Sequence, residues 1–198
     1  MTDLPLEFIL QIIKIKKKGS VMVHILADIL SLAQYQECFK AGSQQHRLDH
    51  CLHCGKANPH LHGHYPRQSY RSPFTQLNPI LIQRYYCSVC KKTCSVLPEC
   101  ISPHRWYLWE IQQIALIMIL SGHSINAIAK QIMPARRTIA RWVARFQNQF
   151  RIHKNALCNH IADLGRATGF NDFWTLCLNT MSLAKAMRLC HVAGECVP

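Results

Sequence analysis

Cys51-Leu-His-Cys54-Gly-Lys and Cys87-Ser-Val-Cys90-Lys-Lys are two copies of one local device, with 32 residues between them. Each is a Cys-x2-Cys knuckle followed by a small or basic turn. Paired knuckles at this distance have the spacing of a four-thiolate zinc site, in which Zn²⁺ takes two sulfurs from each turn and the intervening segment forms strands. Cys51, Cys54, Cys87 and Cys90 are therefore the expected ligands. Four thiolates fill a tetrahedron and leave no position for substrate or an activated water, so the expected role of the metal is structural.

A chain of 198 residues holds one or two small domains. Lys and Arg number 23 against 10 Asp and Glu, a net charge of +13. That excess points to a polyanionic partner, nucleic acid or an acidic membrane surface. Eleven cysteines are an odd count and too sparse for a disulfide mini-protein. The knuckles instead suit a reducing compartment where thiols stay free for metal. Leu4 to Ile15 is apolar, but its lysines follow the apolar run, the reverse of a signal peptide. Ile114 to Leu120 is an unbroken apolar run far short of the ~20 residues needed to span a bilayer. A cytoplasmic, nucleoid-associated protein with no membrane partner is the expectation.

Residues 1–21 read as an extension with little structure, and Val21 to Tyr35 as a short apolar helix or strand-helix element. Gly42-Ser43-Gln44-Gln45 is linker-like. Between 47 and 100, His62 to Arg71, Ile80 to Tyr86 and Thr93 to Leu97 have strand character, bounded by Pro73 and Asn78-Pro79. After Cys100 the pattern turns helical. Ser102 is placed to cap a first helix with Pro103 in its first turn, running to Ser121 and ended by Gly122. Ser124 caps Ile125 to Ile132, Met133-Pro134 breaks the chain, and a third helix runs from about Ala135 to Phe150. Two or three further helices follow, broken near Gly165 to Gly169.

The third helix has two faces. At about 100° per residue from Ile139, Trp142, Val143, Phe146 and Phe150 fall within about 60°, while Arg137, Arg141 and Arg145 fall at about 160°, 200° and 240°. With the short turn, Ile128 and Ile132 on the preceding helix, and small Ala129 where two helices must meet, this reads as a helix-turn-helix. Arg137 and Arg141 are then expected in the major groove of double-stranded DNA. Arg136, Thr138 and Arg145 are expected nearer its edges and the backbone.

These strings, together with His62-Gly-His-Tyr65, Arg84-Tyr-Tyr-Cys87, Arg105-Trp-Tyr107 and Ser124-Ile-x-x-Ile-Ala, resemble the short zinc-ribbon and helix-turn-helix proteins of bacterial insertion sequences, often called transposase-like. The resemblance covers roughly residues 45–150. It implies a zinc ribbon with Cys51, Cys54, Cys87 and Cys90 as ligands and a DNA-reading helix around Arg137 to Arg145. Cys94 departs from it, standing where similar ribbons carry an aromatic residue.

The expected fold is thus mainly α with a small β zinc ribbon. An N-terminal extension and helix (1–46) precede the ribbon (47–100), a helix-turn-helix three-helix block (101–150) and a C-terminal helical segment (151–198). A three-acid transposase needs a catalytic domain of more than ~100 residues. Only 48 residues follow Phe150, with Asp163, Asp172 and Glu195 their sole acids. The expected function is duplex-DNA binding at element ends or a promoter, with no catalytic domain of its own. A separate transposase subunit and a homodimer stand as further partners. Rival readings are a protein-docking zinc module, a small nuclease built on His60-Leu61-His62 with Tyr65 as nucleophile, and a decayed element remnant. Cys38, Cys158, Cys177, Cys190 and Cys196 read as buried small hydrophobes, and His104, His123, His153 and His160 as surface or cap residues. Phe170, Phe173 and Trp174 read as core rather than interface.

Overall fold

A computed structural model describes residues 23–40, 47–68, 79–103 and 106–194. Residues 1–22, the 42–45 linker, the expected strand end at Arg71, Pro73, Asn78, His104, Arg105, Glu195 and Cys196 lie outside that set.

Four strands form one sheet in the order β1-β4-β3-β2. These are β1 (Val23–Leu26), β2 (His60–Arg67), β3 (Ile80–Tyr86) and β4 (Thr93–Pro98). β4 is central and buried along nearly its whole length, whereas β2, at one edge, is mostly exposed. β2 and β3 pair antiparallel from His60↔Tyr86 to Arg67↔Ile80, with a register shift between Leu61 and His64. Gly63 lies in that irregularity at φ +77°, a backbone state that costs an L side chain steric energy.

The expected element between Val21 and Tyr35 is strand then helix. β1 leads into α1 (Leu32–Lys40), whose Tyr35 hydroxyl donates to the Leu81 carbonyl at 3.0 Å. β1 lies parallel to β4, with Val23 opposite Ser95 and Leu26 opposite Pro98. Val23, Ile25, Leu32 and Tyr35 share one buried cluster with Ile80, Ile82, Val96 and Leu97. The sheet and its core therefore run across the division expected at residues 46 and 47.

Ser102 does not cap a helix. Helix α2 spans Trp109–Leu120, starting after Leu108 with no side-chain cap. Ile101 bridges antiparallel to Leu108, and the Trp109 amide donates to the Cys100 carbonyl at 3.2 Å. Residues 101 and 108 thus lie side by side before the helix begins. Ser102 is fully buried, and its carbonyl accepts from Arg67 Nη2 at 2.7 Å. Its Ser-Pro signal marks this buried turn rather than a helix start.

The next boundaries follow the sequence closely. Gly122 lies just past the end of α2, its amide bonded back to Ile119. Ser124 Oγ accepts the Ala127 amide at 3.2 Å and caps α3 (Ile125–Gln131). Helix α4 spans Arg136–Asn148 and gives way across Gln149 to α5 (Phe150–Cys158), so the expected single helix to Phe150 ends two residues early. A 3-10 turn (Ala162–Arg166), α6 (Phe170–Thr180) and α7 (Leu183–Val192) complete the block.

All of α2 to α7 surround one apolar cluster, from Tyr107 to Cys190. Phe173 and Trp174 are fully buried in it, their rings 5.3 Å apart, and Trp174 meets Phe146 edge-on at 5.3 Å. Cys177 and Cys190 are buried there as expected, while Cys38 and Cys158 are half-buried. His153 is the correction: it is fully buried against Phe146 and Trp174, not a surface residue. It follows Phe150 by three positions, so it turns to the same side of α5. No helix among the described residues is long and apolar enough to cross a membrane.

Candidate metal centre and basic helix

The two knuckles have the same backbone. In the first, the Cys51 amide donates to the Lys56 carbonyl at 2.8 Å and the Gly55 amide to the Cys51 carbonyl at 2.8 Å. In the second, Cys87 donates to Lys92 and Lys91 to Cys87, both at 2.9 Å. The residue four positions after each leading cysteine is left-handed: Gly55 at φ +73° and Lys91 at φ +57°. One tight loop is thus built twice, once with a residue that favours this backbone and once with a lysine that tolerates it.

The four sulfurs of Cys51, Cys54, Cys87 and Cys90 lie within 4.8 Å of one another. Across the knuckles, Cys51 Sγ is 3.6 Å from Cys90 Sγ, and Cys54 Sγ is 3.6 Å from Cys87 Sγ. A tetrahedron with metal–sulfur bonds of about 2.3 Å has edges of roughly 3.8 Å. The cluster therefore fits a zinc-sized ion, and four soft thiolates are a donor set that selects zinc or another thiophilic metal. Among the described residues it is the one side-chain group placed to hold a metal.

The surroundings of three of these thiols shift their acidity in different directions. Burial opposes ionisation of Cys51, but the amides of His53 and Cys54 outweigh it and bring the thiol down to about 6. The His53 amide lies 3.4 Å from that sulfur. The Cys90 amide holds Cys87 below the usual thiol range, against burial. Burial, aided by the neighbouring thiols, pushes Cys90 up to about 12. A divalent ion takes cysteine sulfur as thiolate, so its binding would release the protons that remain on the cluster. Cys94 is buried beside Cys51, with its thiol pushed up by burial, and stands outside the four-sulfur set.

The second feature is α4. Ile139 is fully buried, Phe146 is 1% exposed and Trp142 8%, the latter edge-on to Tyr107 at 5.4 Å. Arg137 and Arg141 are exposed on the other side, Arg136 is exposed as the first residue of the helix, and Arg141 Nη2 reaches Thr138 Oγ1 at 3.4 Å. Thr138 and Arg145 are half-buried. Arg145 lies nearest the core edge of the expected stripe, which is why it is partly covered. Helices α2, α3 and α4 touch one another pairwise, with Ile128 of α3 fully buried and Ala129 half-buried. A feature not singled out in the motif reading adds to this: from Ile111 to Ala162 the sequence has seven Lys and Arg and no acid.

His60 and His62 are exposed on β2, and the His62 ring rests 5.5 Å from the Tyr86 ring. They gather no third ligand among the described residues. His123 and His160 are exposed, as expected.

The family model for a domain of unknown function, DUF6431, matches residues 51–142. The matched span opens on Cys51 and closes on Trp142, taking in both knuckles, three of the strands and most of α2 to α4. No curated protein and no solved structure matches the chain.

Proposed function

We propose that this chain is a zinc-containing DNA-binding protein of transposase type. It grips duplex DNA through α3 and α4 acting as a helix-turn-helix, with one structural Zn²⁺ on Cys51, Cys54, Cys87 and Cys90. The observation that carries this reading is the division of α4. Its apolar face is sealed into the core by Ile139, Trp142 and Phe146, while Arg136, Arg137 and Arg141 project into solvent. A guanidinium row on a rigid helix, in a stretch without acids, suits paired hydrogen bonds to guanine and contacts to phosphate. Net charge of +13 supports the same polyanion. The metal's part is to tie the two knuckles together at the end of the sheet, where its binding energy becomes folding energy.

The test is duplex binding followed over a salt series. Each phosphate contact releases counterions and contributes a slope of about −0.9 to log K against log salt. Three or more contacts predict a steep decline, and binding that ignores salt would remove the nucleic-acid reading. Selection from a random duplex pool would then give the sequence recognised.

A further inference from the structure

One face of the β2–β3 pair carries a row of flat side chains that the duplex reading leaves unused. Near the knuckle end, the His62 ring lies 5.5 Å from Tyr86 with 34° between their planes. One step along, the Arg84 guanidinium stands 5.6 Å from the centre of the Tyr65 ring. The pairing of His60 with Tyr86 and of Tyr65 with Ile82 sets these groups side by side on adjacent strands. His60 and His62 are exposed, and Tyr65, Arg84 and Tyr86 are half-buried. Toward the other end of β3, Ile80 and Ile82 are sealed in the core at 0–1% exposure. The strands therefore pass from a packed apolar end to a wet aromatic end.

The charge around this row is of one sign. Lys91 and Lys92 are exposed in the knuckle that follows Tyr86. Residues 47–100 contain seven Lys and Arg, but only Asp49 and Glu99 as acids. Glu99 is buried and engaged by Arg188 at 2.9 Å. Even with the two negative charges of a four-thiolate zinc site, the module keeps a positive excess.

From this juxtaposition of ring planes, a guanidinium and flanking lysines we infer that the knuckle end of β2–β3 binds single-stranded DNA, with unpaired bases stacked on the His62–Tyr86 and Tyr65–Arg84 planes and phosphates along Lys91 and Lys92. Aromatic planes beside cations are the means by which unpaired strands are held without base reading. A duplex hides its base faces and would make no use of the rings, and an acidic peptide would need only the cations. The inference extends the DNA-binding reading, because a duplex held on α4 and opened nearby would present such a strand to the sheet.

Fluorescence anisotropy of the full-length, zinc-loaded chain tests this, with an oligothymidylate of about 15 nucleotides and, separately, a duplex. The double variant His62→Ala with Tyr86→Leu removes two planes and keeps an apolar side chain at 86. It should lose about tenfold or more in oligothymidylate affinity and hold its duplex affinity. Arg137→Ala with Arg141→Ala should do the reverse. If the double variant loses zinc, His62→Ala alone, at an exposed position, decides through a severalfold weakening. Oligothymidylate affinity unchanged in the plane variants, no binding by the parent chain, or equal competition by polyglutamate would each overturn the inference. Loss of oligothymidylate binding in the α4 variant to the same degree would move the strand to α4 and also overturn it. Failure of duplex binding alone would remove the proposed function and leave this face standing.

Discussion

Glu99 and Arg188 meet across 89 positions of sequence, with Arg188 Nε 2.9 Å from Glu99 Oε2. The carboxylate is 2% exposed and also accepts the Asp28 amide at 3.2 Å. It therefore ties α7 to the turn after β1 and joins the sheet core to the helical core. The only other ion pair between side chains of the described residues, Arg166–Asp163 at 3.5 Å, is open to water. Arg188→Met strands a buried carboxylate and should cost about 3–5 kcal/mol. Arg166→Met should cost about 0–1 kcal/mol. Urea denaturation of both variants checks the contrast, and equal losses would deny Glu99–Arg188 its joining role.

Purified protein should carry about one zinc per chain, by the four-ligand stoichiometry of such sites. Cys54→Ser and Cys87→Ser should each lose it, and full retention in both would refute the ligand set. The two cores are distinct clusters, so chelation should melt the strands while α2 to α7 keep much of their helicity. Circular dichroism with and without chelator reads this directly.

The matched knuckles allow a backbone test. Lys91→Gly should stabilise the zinc-loaded protein by about 1 kcal/mol, because the lysine is left-handed at φ +57°. Gly55→Ala should destabilise it by a similar amount. An added Cβ there meets nothing within 4 Å, so the cost is conformational alone. Thermal melts of both variants should move in opposite directions.

On α4, neighbouring residues should behave as opposites. Arg141→Ala should weaken specific DNA binding by roughly 1–3 kcal/mol and leave the melt unchanged. Trp142→Ala should cost about 3–5 kcal/mol of stability, since it empties the core beside Tyr107. The reverse pattern would mean that the helix faces the other way.

Alkaline pH should act on Tyr35. Burial pushes its phenol from the ordinary 10.0 up to about 12. Between those values the unfolded chain gives up a proton that the native chain keeps, so stability falls as pH rises from 10 toward 12. The full effect is about 2–3 kcal/mol. Tyr35→Phe should flatten that part of the stability–pH curve, and an unchanged slope would show that another group is responsible.

What was legible in the sequence was local. The knuckles, the three strands between His60 and Pro98, the Ser124 cap and the two faces of α4 each rest on residues close in the chain. What was not legible depends on remote partners. Ser102-Pro103 has the form of a helix start, yet Arg67 draws the Ser102 carbonyl into a buried turn. His153 is polar, but its turn of α5 faces Phe146 and Trp174. Glu99 resembles any loop acid until α7 brings Arg188 to it. The four-cysteine cluster could be read from spacing. The half-buried aromatic row of β2–β3 could not, because it forms only when the two strands pair in this register.

The parallel seat of β1 beside β4 imposes an order of events on a chain made from its N-terminus. Val23 waits for Ser95, about 70 residues later, which at about 5–20 residues per second is several seconds of synthesis. Its carbonyl waits longer still for His191, whose Nε2 donates to it at 2.9 Å. Through that interval an apolar four-residue strand has no native neighbour. The nascent chain is then exposed to mispairing at β1 until β4 has been made and folded against it.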